Sequence, residues 1–345
     1  MKNKNLHRFS VFLVLSTFIL IFSGGLVTSK GVGMSVPDWP TTYGYNMFLF
    51  PISMWVGGIF HEHLHRLIAS AVGLLTVILC VWLFISEPRR WFRRLGVVAV
   101  VAVCIQGLLG GLRVNLMKDQ IGIFHGCLAQ SFLLLTAFMA LATSSWWKNA
   151  RLSNDSARHF TKAALFITLV IFINTAVAAT MRHAHAGLSI PDFPAAYGQV
   201  IPPMDAASVE KINETRISQN LPETSSTLIA LQFTHRLIAY FLAIAIPWLS
   251  WKLIKAGGVL KPWAYLWTGL VVVQIALGAW TIWSNKAADV ATAHVATGAV
   301  LFIMSGLFTI VCYRAAFDAR SAAHEQKNQP SPELEPQPEL LEISR

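Results

Sequence analysis

The chain has 345 residues, of which 54% are hydrophobic and only 13% charged, with a mean hydropathy of +0.54. Charged residues usually make up about a quarter of a soluble chain, so this composition predicts an integral membrane protein and argues against a soluble enzyme or a disordered chain. The net charge of +10 does not indicate nucleic-acid binding, because the basic residues lie in short loops between apolar segments. We therefore expect no nucleic-acid partner.

Eight apolar runs are long enough to cross a hydrocarbon core of about 30 Å, which takes about 20 helical residues. The sequence therefore predicts an all-α integral membrane fold with eight transmembrane helices. We interpret the first run as a retained helix rather than a signal peptide, because no small-residue cleavage site ends it. In chain order the runs cover residues 9–27, 64–85, 95–112, 121–143, 163–180, 228–251, 263–283 and 290–313.

Most Lys and Arg residues lie in alternate loops, which predicts that both termini are cytoplasmic. Residues 28–63 and 181–227 then form two long outer loops. The acidic, Pro-rich end of the chain is typical of disorder. We predict an N-terminal four-helix half in residues 1–150, a C-terminal four-helix half in residues 151–320 and a disordered cytoplasmic tail in residues 321–345.

An internal duplication underlies this division. The outer loop reads SVPDWPTTYG after the first span and SIPDFPAAYG after the fifth, which places Asp38 and Asp192 154 positions apart. His65 and His235, each followed by an arginine, are 170 apart, so the second loop carries an insertion. We predict two tandem four-helix bundles. Each has an even number of spans, so a pseudo-twofold axis along the membrane normal should relate them.

Four histidines occupy matched places near the outer face. They are His65, His125, His235 and His294, each at the start of a predicted helix. Each half supplies two imidazoles from two helices, which suits an axial bis-histidine haem. Zinc would prefer three or four ligands with carboxylate or thiolate help, and only Glu62 qualifies. A single histidine at a helix end is commonly an interfacial hydrogen-bonding group, but buried polar groups in membranes are usually functional.

One carboxylate distinguishes the two halves. Glu62 lies three residues before His65, on the same helix face and one turn outward if the helix extends that far. The second copy has Gln232 there, which has a similar shape but cannot transfer protons. We predict that the first half performs acid or base chemistry and that the second holds an electron-transferring cofactor. The alternative is that Glu62 caps a helix start.

Further candidates surround these histidines. Arg66 and Arg236 could pair with haem propionates, or could extend to the interface along their aliphatic stems. Asp38 and Asp192 are predicted to shape a lid over each pocket, or alternatively to form structural turns with backbone amides.

The remaining outer histidines fit a haem site less well. His61 and His63 should face away from His65 and are interpreted as interfacial. His183 and His185 could bind copper, although the first copy has no histidines at the aligned positions.

Together these motifs resemble the haem A synthase family. The resemblance is carried by GGLVTSKGVGMSVPDWPTTYG, the ExxHR of HEHLHR, IFHG, the PDFP loop, THR and the last matched histidine, and it covers all eight helices. It implies oxidation of the C8 methyl group of haem O to a formyl group, which yields haem A for cytochrome oxidase. By position it makes Glu62 the catalytic carboxylate, His65 and His125 the substrate-haem ligands, and His235 and His294 the ligands of haem b.

The resemblance also implies a setting. It places the chain in the lipid bilayer of the bacterial cytoplasmic (inner) membrane, with the haem sites near the outer face. A haem O synthase would act upstream and a haem-copper oxidase downstream, with an electron donor that the sequence does not identify; homo-oligomerisation stays open. Some members carry a cysteine pair in the first outer loop, but this chain has none in residues 28–63, so no thiol-linked redox step is expected there.

Two other classes of protein compete with the enzyme. A non-enzymatic dihaem cytochrome b, which passes electrons from quinol, would use the same four histidines. Glu62 discriminates between them, because its removal would stop methyl oxidation in the enzyme and leave haem chemistry unchanged in the electron carrier. A transporter with parallel repeats is disfavoured, because the sequence shows no paired, Pro-interrupted half-helices.

Overall fold

The computed structural model describes residues 4–149, 155–257 and 260–327. In these residues the fold is all-α, with short 3-10 turns and isolated bridges in the outer loops as its other regular structure. The α-helices are α1 (Lys4–Ser29), α2 (Gly57–Ser86), α3 (Arg90–Asn115), α4 (Ile121–Thr143), α5 (Ser145–Asn149), α6 (Asp155–His183), α7 (Ala206–Ser218), α8 (Ser226–Ala256), α9 (Lys261–Trp283) and α10 (Ala288–Lys327).

Eight of these helices are long and apolar enough to cross a membrane, as judged by length and composition: α1 to α4, α6, and α8 to α10. Each contains one predicted apolar run, so the eight predicted spans are confirmed. Most helices extend past the apolar run, because polar residues at its ends can continue the backbone helix into the interface. Helix α8 is continuous through Pro247.

Helix α10 also corrects one boundary. It continues to Lys327, so residue 321, the predicted start of the disordered tail, lies within a helix. Residues 328–345 lie outside the described residues.

The spans form two four-helix rings. In the first ring α1 packs on α2 and α4, and α3 completes the ring between them; in the second, α6 packs on α8 and α10, and α9 completes the ring. Contacts of α1 with α10, and of α4 with α6 and α10, join the rings. The pseudo-twofold axis stays a prediction. So does the domain division, whose boundary at residue 150 lies outside the described residues.

Each ring has its own apolar core. Leu13, Leu79 and Phe92 belong to the first, and Ile246 and Trp267 to the second. A smaller cluster of Ile21, Leu133 and Ala299 lies between the rings. Half of the most apolar window of α4 and of α10 is buried, against 17–28% in the other six spans. These two helices are therefore the central ones, and the other six expose apolar side chains suited to contact with lipid.

Candidate functional site

The first long loop, residues 28–63, is fastened to helix α2 by contacts of a buried ion pair. Glu62 Oε2 accepts a hydrogen bond from the backbone N–H of Val36 (2.9 Å), and Oε1 pairs with Arg66 Nη2 at 2.9 Å. The Arg66 guanidinium also donates to the carbonyl oxygens of Asp38 (2.6 Å), Thr41 (3.1 Å) and Val36 (2.9 Å). One helical turn of α2 therefore binds several backbone groups of the PDWP loop.

The second half repeats this clamp without the charge pair. Gln232 Oε1 accepts from the N–H of Ile190 (2.5 Å), the position aligned with Val36, and its Nε2 donates to the carbonyls of Gly187 (3.1 Å) and Ile190 (3.2 Å). Arg236 donates to the carbonyls of Ala195 (2.9 Å) and Ile190 (3.2 Å). An amide therefore holds the loop where the first half uses a carboxylate.

These contacts revise the interpretation of both arginines. Arg66 and Arg236 are only 9% and 6% exposed, so the alternative in which they extend to the interface is wrong. Their guanidinium groups bind loop carbonyls, and pairing with propionates stays a prediction that these contacts do not favour. Helix α2 begins at Gly57, so Glu62 shares the helix with His65 as predicted. The alternative role for Glu62 as a cap of the helix start is also wrong.

Asp38 and Asp192 organise matching turns. Asp38 accepts hydrogen bonds from Thr41 Oγ1 and from the backbone N–H groups of Tyr43 and Gly44, and Asp192 accepts from those of Tyr197 and Gly198. For Asp38, burial alone would raise the carboxyl pKa, but these hydrogen bonds outweigh it and hold the pKa below its ordinary value of 3.8. The structural-turn interpretation of both residues fits these contacts.

The second-half histidines face each other across a narrow gap. The ring centroids of His235, on α8, and His294, on α10, are 6.5 Å apart, and the rings are inclined at 82°. Two imidazoles bound on opposite sides of one metal ion, with bonds of about 2 Å, place their centroids about 6 Å apart. The separation therefore suits one iron between the two rings.

Glutamines orient one histidine of each pair. His125 Nδ1 lies 3.2 Å from the backbone carbonyl oxygen of Gln106, and His294 Nδ1 lies 3.1 Å from the backbone carbonyl oxygen of Gln274. An Nδ1–H that donates to a backbone carbonyl leaves the lone pair on Nε2. In the second half the side-chain Nε2 of Gln274 lies 3.5 Å from His294 Nε2, at the limit of a hydrogen bond. Gln106 Nε2 donates in turn to the carbonyl of His125 at 2.8 Å.

Glycines give the histidine rings room. A Cβ placed on Gly24, Gly110 or Gly278 would lie 2.9 to 3.2 Å from the Cε1 of His65, His125 or His294, respectively. The rings thus lie directly on neighbouring helix backbone, where a side chain would displace them.

The other histidine of each pair has an unsatisfied atom. Nδ1 of His65 and Nδ1 of His235 are buried and make no well-formed hydrogen bond in the described part of the chain, although the backbone of Leu20 and of Asn174, respectively, lies close to each ring. His65 is close enough to His125 for their charges to interact. A buried, unpaired imidazole nitrogen is costly in a membrane. The facing rings of the second half and the glycines beneath the histidines fit a flat prosthetic group ligated by two histidines.

A metal cluster of another kind is not present in the described residues. No group of three or more His, Cys, Asp or Glu side chains converges there to hold a metal ion, which disfavours zinc. His183, considered as part of a copper pair with His185, lies beside Asp119 and against the backbone of Gly122, and copper binding by the pair stays a prediction. His183 adjoins the first-half site, and its sequence position gave no indication of that location.

His63 is the clearest error of the sequence interpretation. Predicted as interfacial, it is fully buried, packs against Phe50 and Trp55, and contacts Thr42 Oγ1 through Nδ1 at 3.2 Å. The helix face opposite His65 is covered by the outer loop, which the spacing could not reveal. His61 lies near the surface with Lys30 Nζ 2.8 Å from its Nε2, in agreement with an interfacial place.

The fold and these sites define a multi-pass helical membrane protein with a histidine pair in each four-helix half. Comparison with known proteins extends this class. Residues 54–305 match the COX15-CtaA family, described as "Cytochrome oxidase assembly protein", and the chain belongs to that family.

Three curated relatives, all named "Heme A synthase", are similar over most of the chain. That of Shouchella clausii is 26% identical over 330 residues, covering 93% of this chain and 99% of the relative. That of Listeria monocytogenes serotype 4a is 23% identical, covering 93% and 98%, and that of Nitrosomonas eutropha is 26% identical, covering 84% and 88%. The resemblance drawn from the sequence motifs is thereby confirmed.

Proposed function

We propose that this chain is a membrane-bound haem A synthase, which oxidises the C8 methyl group of haem O to the formyl group of haem A. The family match and the relatives named "Heme A synthase" support this activity. The observation that carries the proposal is an asymmetry. Both halves present a histidine pair, but only the first adds a carboxylate, Glu62, one turn outward from a histidine.

The two sites then have different occupants. His65 and His125 hold the substrate haem, and His235 and His294 hold haem b, whose iron supplies one-electron transfer when it is bound. The 6.5 Å between the rings of His235 and His294 supports a tightly ligated resident group. The glycines beside His65 and His125 let those rings lie against neighbouring helix backbone, which fixes where each ring stands in the site.

Glu62 is the proposed proton acceptor at the substrate methyl group. Arg66 and the N–H of Val36 hold its carboxylate in place, which restricts its side-chain rotamers and fixes its position beside the site. The clamped PDWP loop covers the outer end of the site and excludes water from it. The same carboxylate thus fastens the cover and faces the chemistry.

The cellular setting follows from the same proposal. The chain acts in the bacterial inner membrane with both termini in the cytoplasm and both haem sites near the outer face. A haem O synthase supplies its substrate, a haem-copper oxidase receives its product, and an electron donor reduces the haem b half. A homo-oligomer is compatible with this arrangement.

Expression in a bacterium that makes haem O but not haem A tests the proposal. The purified chain would be extracted and its haems separated by chromatography and identified by mass. We expect haem A, or its hydroxylated precursor, together with haem B. Haem B as the only haem extracted would favour the dihaem electron carrier. A purified chain that contains no haem would instead favour the transporter.

A further inference from the structure

A cluster of cationic side chains lies between the two rings at their outer end. Arg113 ends α3, Arg182 and His183 end α6, and Asp119 lies in the short loop between α3 and α4. Arg113 Nη2 pairs with Asp119 Oδ1 at 2.9 Å, and His183 Nδ1 lies 3.9 Å from the same oxygen. The cluster therefore draws residues from both halves.

Charge is unbalanced in this cluster. Arg182 donates to neutral oxygens, the carbonyl of Gly25 (3.0 Å) and the hydroxyl of Ser29 (2.6 Å). Asp119 is thus the one carboxylate that pairs with either arginine among the described residues. Arg113 Nε is buried and has no hydrogen-bond partner there, and its Nη1 makes only a long contact, 3.4 Å, with the carbonyl of Gly33. Excess buried positive charge is costly without an anion.

The cluster adjoins the first-half histidines. A Cβ on Gly122, one turn before His125, would contact the His183 ring and lie 3.2 Å from Arg113 Nε. Arg113 also lies near both His65 and His125. An anionic group on a molecule held by those histidines would therefore come close to the unpaired Nε–H.

The second half has an uncharged residue at the position aligned with Arg113. Gln106 and Gly110 align with Gln274 and Gly278, so Thr281 is the residue aligned with Arg113 in the second half. The Thr281 hydroxyl donates to the carbonyl of Leu277 within its own helix, at 2.8 Å. Arg113 therefore has no cationic counterpart at the aligned position of the second half.

We propose that Arg113, flanked by His183, binds a propionate carboxylate of the porphyrin in the first-half site. A planar guanidinium matches a carboxylate in two parallel hydrogen bonds, and Asp119 holds it in position from the other side. Arg66 is less suited to this role because its donors bind the PDWP loop. The inference rests on the proposed function, because it names how that site recognises its haem substrate.

Esterification of the substrate provides the test. Haem O and its dimethyl ester, which lacks both propionate charges, would be titrated into the purified full-length chain and followed by absorbance. We expect wild type to bind haem O at least about tenfold more tightly than the ester, as is typical of a buried charge pair. Arg113→Gln should lose that discrimination, and Arg113→Lys should retain part of it. Thr281→Val, the matched control in the second half, should leave it unchanged.

Asp119→Asn separates binding from a structural ion pair. If Arg113 binds substrate, removal of its protein partner should preserve or increase the preference for haem O over the ester. If Arg113 only fastens the loop through Asp119, Asp119→Asn and Arg113→Gln should weaken both ligands equally, and that result would overturn the proposal.

Retention of haem b in each variant serves as the folding check, and Arg113→Lys and Asp119→Asn carry the test if Arg113→Gln does not fold. Wild type that binds both ligands equally would overturn this inference alone. Wild type that binds no haem O would defeat the proposed function itself.

Discussion

The two halves of the protein use one clamp with two chemistries. In each half, the residue three positions before the first histidine accepts a hydrogen bond from the backbone N–H of the loop residue just before the PDWP or PDFP motif. The arginine that directly follows the histidine donates to backbone carbonyls of the same loop. The first half performs this task with Glu62 and the second with Gln232. Because an uncharged amide suffices in the second half, loop anchoring does not require the charge of Glu62.

Two further polar residues are present in the first half and absent from the second. The first half buries His63 under its loop, and Phe233 stands at the aligned position in the second. The first half also places Arg113 where the second has Thr281. The shared residues therefore form the histidine pair and anchor the loop beside it, and the unshared polar residues lie on the first-half side. That distribution is expected where one site changes its ligand chemically and the other only retains it.

Substitution of the histidines should have the largest effect, and the effect should differ between the two halves. His65→Ala or His125→Ala should abolish haem A formation and leave haem b in place, because each removes one ligand of the substrate site only. His235→Ala or His294→Ala should instead release most of the haem b. Extraction and chromatography of the haems from each purified variant measures both quantities. Loss of haem b on substitution of His65 would contradict the assignment of separate sites.

Glycine substitutions should give a smaller, half-specific effect. Gly110→Val would press on His125 and Gly278→Val on His294, since even a Cβ would lie 3.2 Å and 3.1 Å from the respective Cε1 atoms. Overpacking of this kind costs about 1–3 kcal/mol, so we expect a several-fold loss of ligand affinity in the affected half.

Haem titration of the two glycine variants checks this expectation. Gly73→Val, at a helical glycine with no atom near its Cβ position, serves as the control. Equal losses in both halves from either variant would show that the sites are not independent.

The smallest effect is expected at Asp38. Its pKa lies below the ordinary value of 3.8 in the folded loop, so the carboxylate stabilises the loop at pH values above about 4 and loses that contribution as the pH falls through the lowered pKa. Asp38→Asn should therefore open the loop slightly at pH 6, by less than about 1 kcal/mol, and differ little from wild type in acid. Hydrogen exchange of residues 35–45 at pH 6 and in acid measures loop opening in the variant and in wild type. A difference between the two proteins that is equal at both pH values would contradict the role given to the Asp38 carboxylate.

The fold followed from the sequence because membrane crossing imposes a strong pattern. Apolar runs of the required length identified all eight spans, and the duplicated loops identified the matching histidines. The outer ends were less predictable. Helix α2 begins well before its apolar run, at Gly57, since its first turns lie under the loop rather than in lipid.

The site could be predicted only as far as contacts within one helix determine it. Glu62 and His65 share a face through local spacing, so their relation was predictable. Arg66 binds the loop and His63 lies beneath it, which depends on how a distant segment folds back. Arg113 and His183 meet only because α4 packs against α6. An arginine near the end of an apolar run was the one available signal for this cluster.

Exchange of the distinguishing side chain tests the division of labour most directly. Glu62→Gln keeps an amide able to accept from the N–H of Val36, as Gln232 does at Ile190, and Gln232→Glu is its reciprocal control. The haems extracted from both variants would be compared after expression in a strain that makes haem O. Our account predicts that Glu62→Gln retains haem O and haem B without haem A, while Gln232→Glu still makes haem A. Normal haem A from Glu62→Gln would contradict the central claim that the first half acts through this carboxylate.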